Sequence, residues 1–270
     1  MLKLDNQIET IEMPADNNKT ASQAPLFLIH DGSGICAHYH RLRPLSRPVY
    51  ALHDPKFLDT FDTWSDIGHM AEHYAQVIKS VASGPFLVGG WSFGGVVAFE
   101  VTRRLSLKGQ KVIGTVLIDA PPPLNHQPLS PAIIDSVIAS QGSSRQPVGS
   151  EAAKAIRYFI RRSFSSCADL LGAFHPPLPL PASSTPPAFL LRSREGWRHP
   201  SDPAPLIENG WLQNRDNPRE AVTGWETVTG RSIPWADIPG NHFEVFDVAN
   251  IDAVSEAIRH ATCELESTHS

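Results

Sequence analysis

Short apolar runs, each closed by turn residues, recur along most of this chain. Leu26-Phe27-Leu28-Ile29 ends at His30-Asp31-Gly32-Ser33-Gly34, Val49-Tyr50-Ala51-Leu52 at His53-Asp54-Pro55, and Phe86-Leu87-Val88 at a glycine-rich turn. Val112 to Ile118 stops at Asp119, and Ala188-Phe189-Leu190-Leu191 stops at Arg192-Ser193-Arg194. Continuous apolar runs of this length predict strands of a parallel sheet covered on both faces. Between them lie helical stripes. Ile67, Met70, Tyr74, Val77 and Val81 share one face, with Thr63 or Ser65 as the expected cap. Val97, Val101 and Leu105 form a second stripe that Gly109 should stop, and Ile251, Val254, Ile258 and Ala261 a third, with Asn250 as its expected cap. Core packing accounts for each stripe.

Two stretches depart from the alternation. Residues 1–22 are mostly polar and read as an N-terminal arm, with one edge strand near Ile8 to Met13. From Pro121 to Pro205 the chain carries 15 of its 24 prolines, yet also two helix-like patches, Ile133 to Ile138 and Ala152 to Phe164. A long insertion between core strands is rarely idle. Residues 121–187 are expected to form a lid within a single domain spanning 1–270.

Composition narrows the partners. The 270 residues suit one large α/β domain, and 41% hydrophobic residues can bury a sizeable core. A net charge of −5 without a long basic run excludes nucleic acid as the expected partner. Cys36, Cys167 and Cys263 are too few and too scattered for a disulfide framework or a zinc site. No secretory leader or bilayer-length apolar segment is visible. A soluble cytoplasmic protein, free of membrane and metal, is the expectation.

The chemistry centres on Gly90-Trp91-Ser92-Phe93-Gly94-Gly95, which follows an apolar run and opens a helical pattern. Strand, sharp turn and helix with serine at the apex is the setting in which G-x-S-x-G marks a nucleophile elbow. Gly90 and Gly94 are then steric requirements, and the Phe93 amide at the helix start is free to meet an oxyanion. A serine hydroxyl needs a base, and the base an orienting carboxylate, in the chain order Ser, acid, His. Of the histidines beyond Ser92, only His242 sits in a short glycine-entered turn after a strand-like run, Pro239-Gly240-Asn241-His242-Phe243. His126, His175 and His199 fall in the proline-rich region, His260 in the last helix and His269 in a polar tail. Asp119 ends an apolar strand and would project into the crevice where parallel sheets bind ligands; Glu195 or Asp202, one strand later, are its rivals. Gly32 is the expected second oxyanion amide, with Asp31 or Ser33 as alternatives and His30 as a structural residue.

With these residues in place the chain resembles the thioesterases of polyketide synthases and nonribosomal peptide synthetases, particularly those of fungal secondary metabolism. The resemblance runs from about Leu26 to the last helix. It rests on the run from Leu26 to Gly34, on Val49-Tyr50-Ala51-Leu52, on Gly89-Gly90-Trp91-Ser92-Phe93-Gly94-Gly95, on Leu117-Ile118-Asp119 and on Pro239-Gly240-Asn241-His242-Phe243. It implies an α/β-hydrolase fold and a triad of Ser92, Asp119 and His242. The partner it implies is a carrier protein that presents an acyl group on phosphopantetheine, so the enzyme needs no cofactor of its own. Water as acceptor would give a free acid; an internal nucleophile would give a ring. The lid matches the family only in position and character, so the acyl substrate is not carried over. Arg157, Arg161 and Arg162, or Arg41 and Arg43, are candidates for meeting an acidic carrier, although a solvated charged face is the more expected reading of each cluster. A carboxylesterase or lipase-like hydrolase of free oxoesters and a non-catalytic scaffold of the same fold are the alternatives.

Overall fold

The computed structural model describes residues 7–14, 23–124, 126–140, 150–176, 178, 185–198 and 210–269. Seven strands form one sheet: β1 (Ile8–Glu12), β2 (Leu26–Ile29), β3 (Val49–Leu52), β4 (Phe86–Trp91), β5 (Val112–Ile118), β6 (Ala188–Glu195) and β7 (Trp235–Asn241). Their spatial order is β1-β3-β2-β4-β5-β6-β7. Edge strand β1 runs antiparallel to β3; every other pair is parallel. The helices are α1 (Ile67–Val81), α2 (Phe93–Leu107), α3 (Pro131–Ser140), α4 (Glu151–Ala173), α5 (Gly210–Gln213), α6 (Pro218–Thr229) and α7 (Ile251–His269).

Successive strand residues feed two cores. Phe27, Ile29, Phe86 and Val88 pack with α1, α2 and α6 on one face. Leu26, Leu28 and Leu87 pack on the other face with Ile251, Val254, Ile258 and Ala261 of α7. This double burial explains why the strands read as unbroken apolar runs. Most of α2 is buried, not only its expected stripe, because it lies between the sheet, α1 and the insertion. Gly109 follows the end of α2 at φ +72°, as a helix stop requires. The cap of α1 is a correction: neither Thr63 nor Ser65 caps it. Asp66 does, accepting from the His69 amide, while the Ser65 hydroxyl donates to the other Asp66 oxygen. Asn250 precedes α7, but its side-chain amide donates to the Glu244 carbonyl and braces the preceding turn.

The insertion after β5 contains α3 and α4. Its helical patches extend further than their apolar residues indicate, α4 through two turns beyond Phe164. Residues 125, 141–149, 177 and 179–184 of the expected lid, and 1–6 and 15–22 of the expected arm, lie outside the described residues.

Candidate active site

Parallel strands place their carboxyl ends on one rim, and three loops meet there. The first leaves β4. Ser92 sits at φ 57°, ψ −124°, a conformation that L-residues avoid, and α2 begins at the next residue. The turn is possible because its flanks have no side chains. A Cβ on Gly90 would overlap the Gly94 backbone, and one on Gly94 would overlap the carbonyls of Ile29 and His30 in the neighbouring strand. The Ser92 amide is anchored to the Ile118 carbonyl.

The second loop leaves β5. Asp119 also has positive φ, 42°, and its amide donates to the Leu191 carbonyl at 2.6 Å, which turns the chain out of the sheet. The third follows β7, where Gly240 (φ +79°) packs its Cα face against Asn250. The Asn241 carbonyl and side chain accept from the Glu244 and Phe243 amides, so the turn around His242 is closed by its own hydrogen bonds.

Across the rim, His242 Nε2 lies 2.9 Å from Ser92 Oγ and His242 Nδ1 lies 2.7 Å from Asp119 Oδ2. The carboxylate fixes the tautomer: Nδ1–H donates to Asp119 and Nε2 is left to accept from the serine hydroxyl. Asp119 and His242 are almost wholly buried. The imidazole is boxed by the rings of Trp91, Trp211 and Phe243, at centroid distances of 5.4, 4.9 and 4.9 Å. The structure therefore brings Ser92, Asp119 and His242 together. Glu195 is exposed at the end of β6, and Asp202 lies outside the described residues.

Two partners of Asp119 went unforeseen. Ser193, on β6, donates its amide to Oδ1 at 2.8 Å and its hydroxyl to Oδ2 at 2.7 Å. Arg215 donates to both oxygens, at 2.9 and 3.0 Å. Burial pushes the Asp119 carboxyl upward; the Arg215 guanidinium, the His242 ring and Ser193 outweigh it and hold the group far below the usual carboxylate range. Adjacency of β5 and β6 could have pointed to Ser193. Nothing in the pattern around Arg215, between two short helices, marks it.

The candidate oxyanion amides face different surroundings. Phe93 is the first residue of α2, where the amide has no intrahelical acceptor. In the loop after β2, Asp31 accepts the Ser33 amide on its side chain and the Gly34 amide on its carbonyl. Ser33 is thereby committed, whereas the Gly32 amide has no partner among the described residues. His30 is wholly buried, with Nδ1 2.6 Å from the Asp31 carbonyl and Nε2 2.7 Å from Tyr74 Oη, a bracing role for this loop. Helix α4 covers the loop: the Phe164 ring lies where a Gly32 Cβ would be, and Ser163 does the same for Gly34. A cavity of about 260 Å³ lies behind Asp119, lined by Pro121, Leu124, His126, Trp211 and Arg215 among others.

The arginine clusters are largely engaged within the chain. Arg161 pairs with Asp135, Arg162 donates to the Lys56 and Asp59 carbonyls, Arg43 pairs with Asp252, and Arg41 with Asp247 and the Phe246 carbonyl. Glu9, Cys36 and His53 offer ligand atoms within 4.8 Å of one another. Their hydrogen bonds oppose metal binding. The Cys36 amide donates to His53 Nδ1, so Nε2 carries the proton and donates to Glu9 at 2.8 Å.

Sheet order, elbow and rim together define an α/β-hydrolase fold. Among solved structures, the thioesterase domain NocB of the nocardicin cluster superposes with a TM-score of 0.67 at 22% identity, covering 94% of this chain and 98% of that domain. The family model of the thioesterase domain matches residues 24–262, and the chain belongs to that family. An orsellinic acid synthase of Beauveria bassiana is 44% identical over 293 aligned positions, which take in 98% of this chain but 13% of the synthase. The chain thus spans about an eighth of the length of that relative. Thioesterase frbD of Dothideomycetidae sp. (strain 11243) is 32% identical over 90% of each chain.

Proposed function

We propose that the protein releases an acyl chain from the phosphopantetheine arm of a carrier protein through a Ser92 acyl-enzyme. The observation that carries this reading is the unbroken path from Ser92 Oγ through the His242 ring to Asp119. His242 takes the serine proton as Ser92 attacks the thioester carbonyl. The oxyanion is met by the amides of Phe93 and Gly32. The carbon–sulfur bond breaks and the carrier thiolate leaves, taking up the proton from His242. A second nucleophile then gives its proton to the same imidazole and attacks the ester carbonyl. Water gives a free acid and an internal hydroxyl or carbon nucleophile gives a ring, with Ser92 regenerated in either case.

Likeness to an orsellinic acid synthase favours a polyketide acyl chain over a peptide. The helices α3 and α4 act as the lid, since α4 already rests on the oxyanion loop. Arg157, exposed and unpaired among the described residues, is the remaining cation of its cluster for an acidic carrier. The three free cysteines suit a reducing cytoplasm. Among the described residues no helix is long and apolar enough to cross a membrane. The chemistry requires no cofactor held by this chain.

Paired substrates test the reading. An acyl pantetheine thioester should be turned over faster, by kcat/KM, than the oxoester of the same acyl group. A strong oxoester preference would move the protein to the carboxylesterase reading.

A further inference from the structure

The carboxylate that orients His242 is itself held by a buried arginine, which a Ser-His-Asp relay does not require. Asp119 accepts five hydrogen bonds: two from Arg215, two from Ser193 and one from His242. Oδ2 is shared by Arg215 Nη2, Ser193 Oγ and His242 Nδ1. Guanidinium and imidazole therefore meet at a single oxygen. Arg215 is nine-tenths buried, so water screens this charge poorly.

The arginine is placed with care. Trp211 and Arg215 lie four residues apart on α5 and the segment after it, and the guanidinium lies 5.5 Å from the Trp211 ring. The Trp211 ring meets His242 in a T-shaped contact while Arg215 grips Asp119, so one short segment clamps both partners. Arg192 donates to the Arg215 carbonyl and pairs with Asp237 on β7. The other titratable groups near the relay are His126 across Trp211, Glu244 within the His242 turn, and His38 behind Trp91. None of these three touches the carboxylate among the described residues, whereas Arg215 brings a permanent charge to it.

We propose that Arg215 is a positioning residue that offsets the charge of Asp119 and thereby sets the pH profile of Ser92 activation. An orienting carboxylate left alone attracts the imidazolium; a guanidinium on the same carboxylate opposes it. Loss of that guanidinium should therefore carry the pH dependence of Ser92 activation upward. The inference rests on the reading of Ser92 and His242 as nucleophile and base.

The test is the rate of Ser92 labelling by a fluorophosphonate across pH, read by intact mass, together with thermal melting. Wild type should label Ser92 along a limb that rises with pH. Arg215→Met should carry that limb to higher pH by about one unit. Arg215→Lys should leave its midpoint near that of wild type, because the charge is kept. Should Arg215→Met fail to fold, Arg215→Gln carries the same expectation, since it can still donate one hydrogen bond without the charge. A folded, uncharged variant with the wild-type midpoint and only a lower Tm would overturn the proposal and leave Arg215 a structural brace. A wild type that is folded yet never labelled at Ser92 would overturn the nucleophile assignment, and this proposal with it.

Discussion

At the scale of single residues, strain and charge meet on one rim. Ser92 and Asp119 both hold positive φ, and each is pinned by a backbone hydrogen bond to a neighbouring strand. Such conformations persist only where the surroundings over-determine them. Ser92→Ala should abolish acyl-enzyme formation. Asp119→Asn should lower kcat by about ten-thousand-fold, because an amide in place of the carboxylate favours the wrong imidazole tautomer; steady-state turnover of an acyl thioester checks both. His126 gives a separate expectation. Burial, then the charge of His242, pull its imidazole down to about 4. The folded state thus refuses a proton that the unfolded chain accepts below about pH 6.5. The stability this gives is complete above that pH and is lost as pH falls from about 6.5 toward 4. After allowance for partial exposure of this side chain, about 1–2 kcal/mol should disappear between pH 7.5 and 5. Urea denaturation at the two pH values would show it, and His126→Gln should flatten the slope.

At the scale of elements, what could be read in advance followed local rules. The runs in β2 to β6 were legible because burial on both faces leaves mostly apolar positions, with Thr115, Arg192 and Ser193 as buried exceptions, and the elbow was legible because its glycines, serine and flanking elements are contiguous. The cap of α1 was not: Thr63, Ser65 and Asp66 are all competent, and only backbone geometry gives the His69 amide to Asp66. Helix α6 was missed although Asn217 caps it, Pro218 opens it and Gly230 closes it at φ +67°. The proline-rich stretch before it obscured that signal. Arg215 and Ser193 were beyond reach for another reason, because they meet Asp119 only after strands and helices remote in sequence have packed. Two substitutions separate local from global dependence. Asp66→Ala should cost about 1 kcal/mol in thermal or chemical unfolding and leave turnover unchanged. Gly94→Ala places a methyl group against two backbone carbonyls of β2 and its loop, which no rotamer relieves. It should abolish Ser92 labelling or folding altogether.

At the scale of the whole molecule, the parallel sheet turns sequence distance into proximity. Ser92, Asp119 and His242 follow β4, β5 and β7, so that residues 150 positions apart share a hydrogen bond. The cores on the two faces hold the strands in register, and α4 reaches back across the rim to the loop after β2. Chain order narrowed the histidine and the carboxylate, and the glycine-entered turn at His242 and the strand end at Asp119 singled them out. The contact of α4 with Gly32, and the placing of Arg215 after α5 on Asp119, emerge only from the complete packing. The most direct measurement is intact-mass analysis of the protein mixed with an acyl pantetheine thioester and quenched within one turnover. A mass increase equal to the acyl group, mapped to Ser92 and absent from Ser92→Ala, is the predicted result. Turnover that persists in Ser92→Ala, or an acyl group carried on any other residue, would contradict the account.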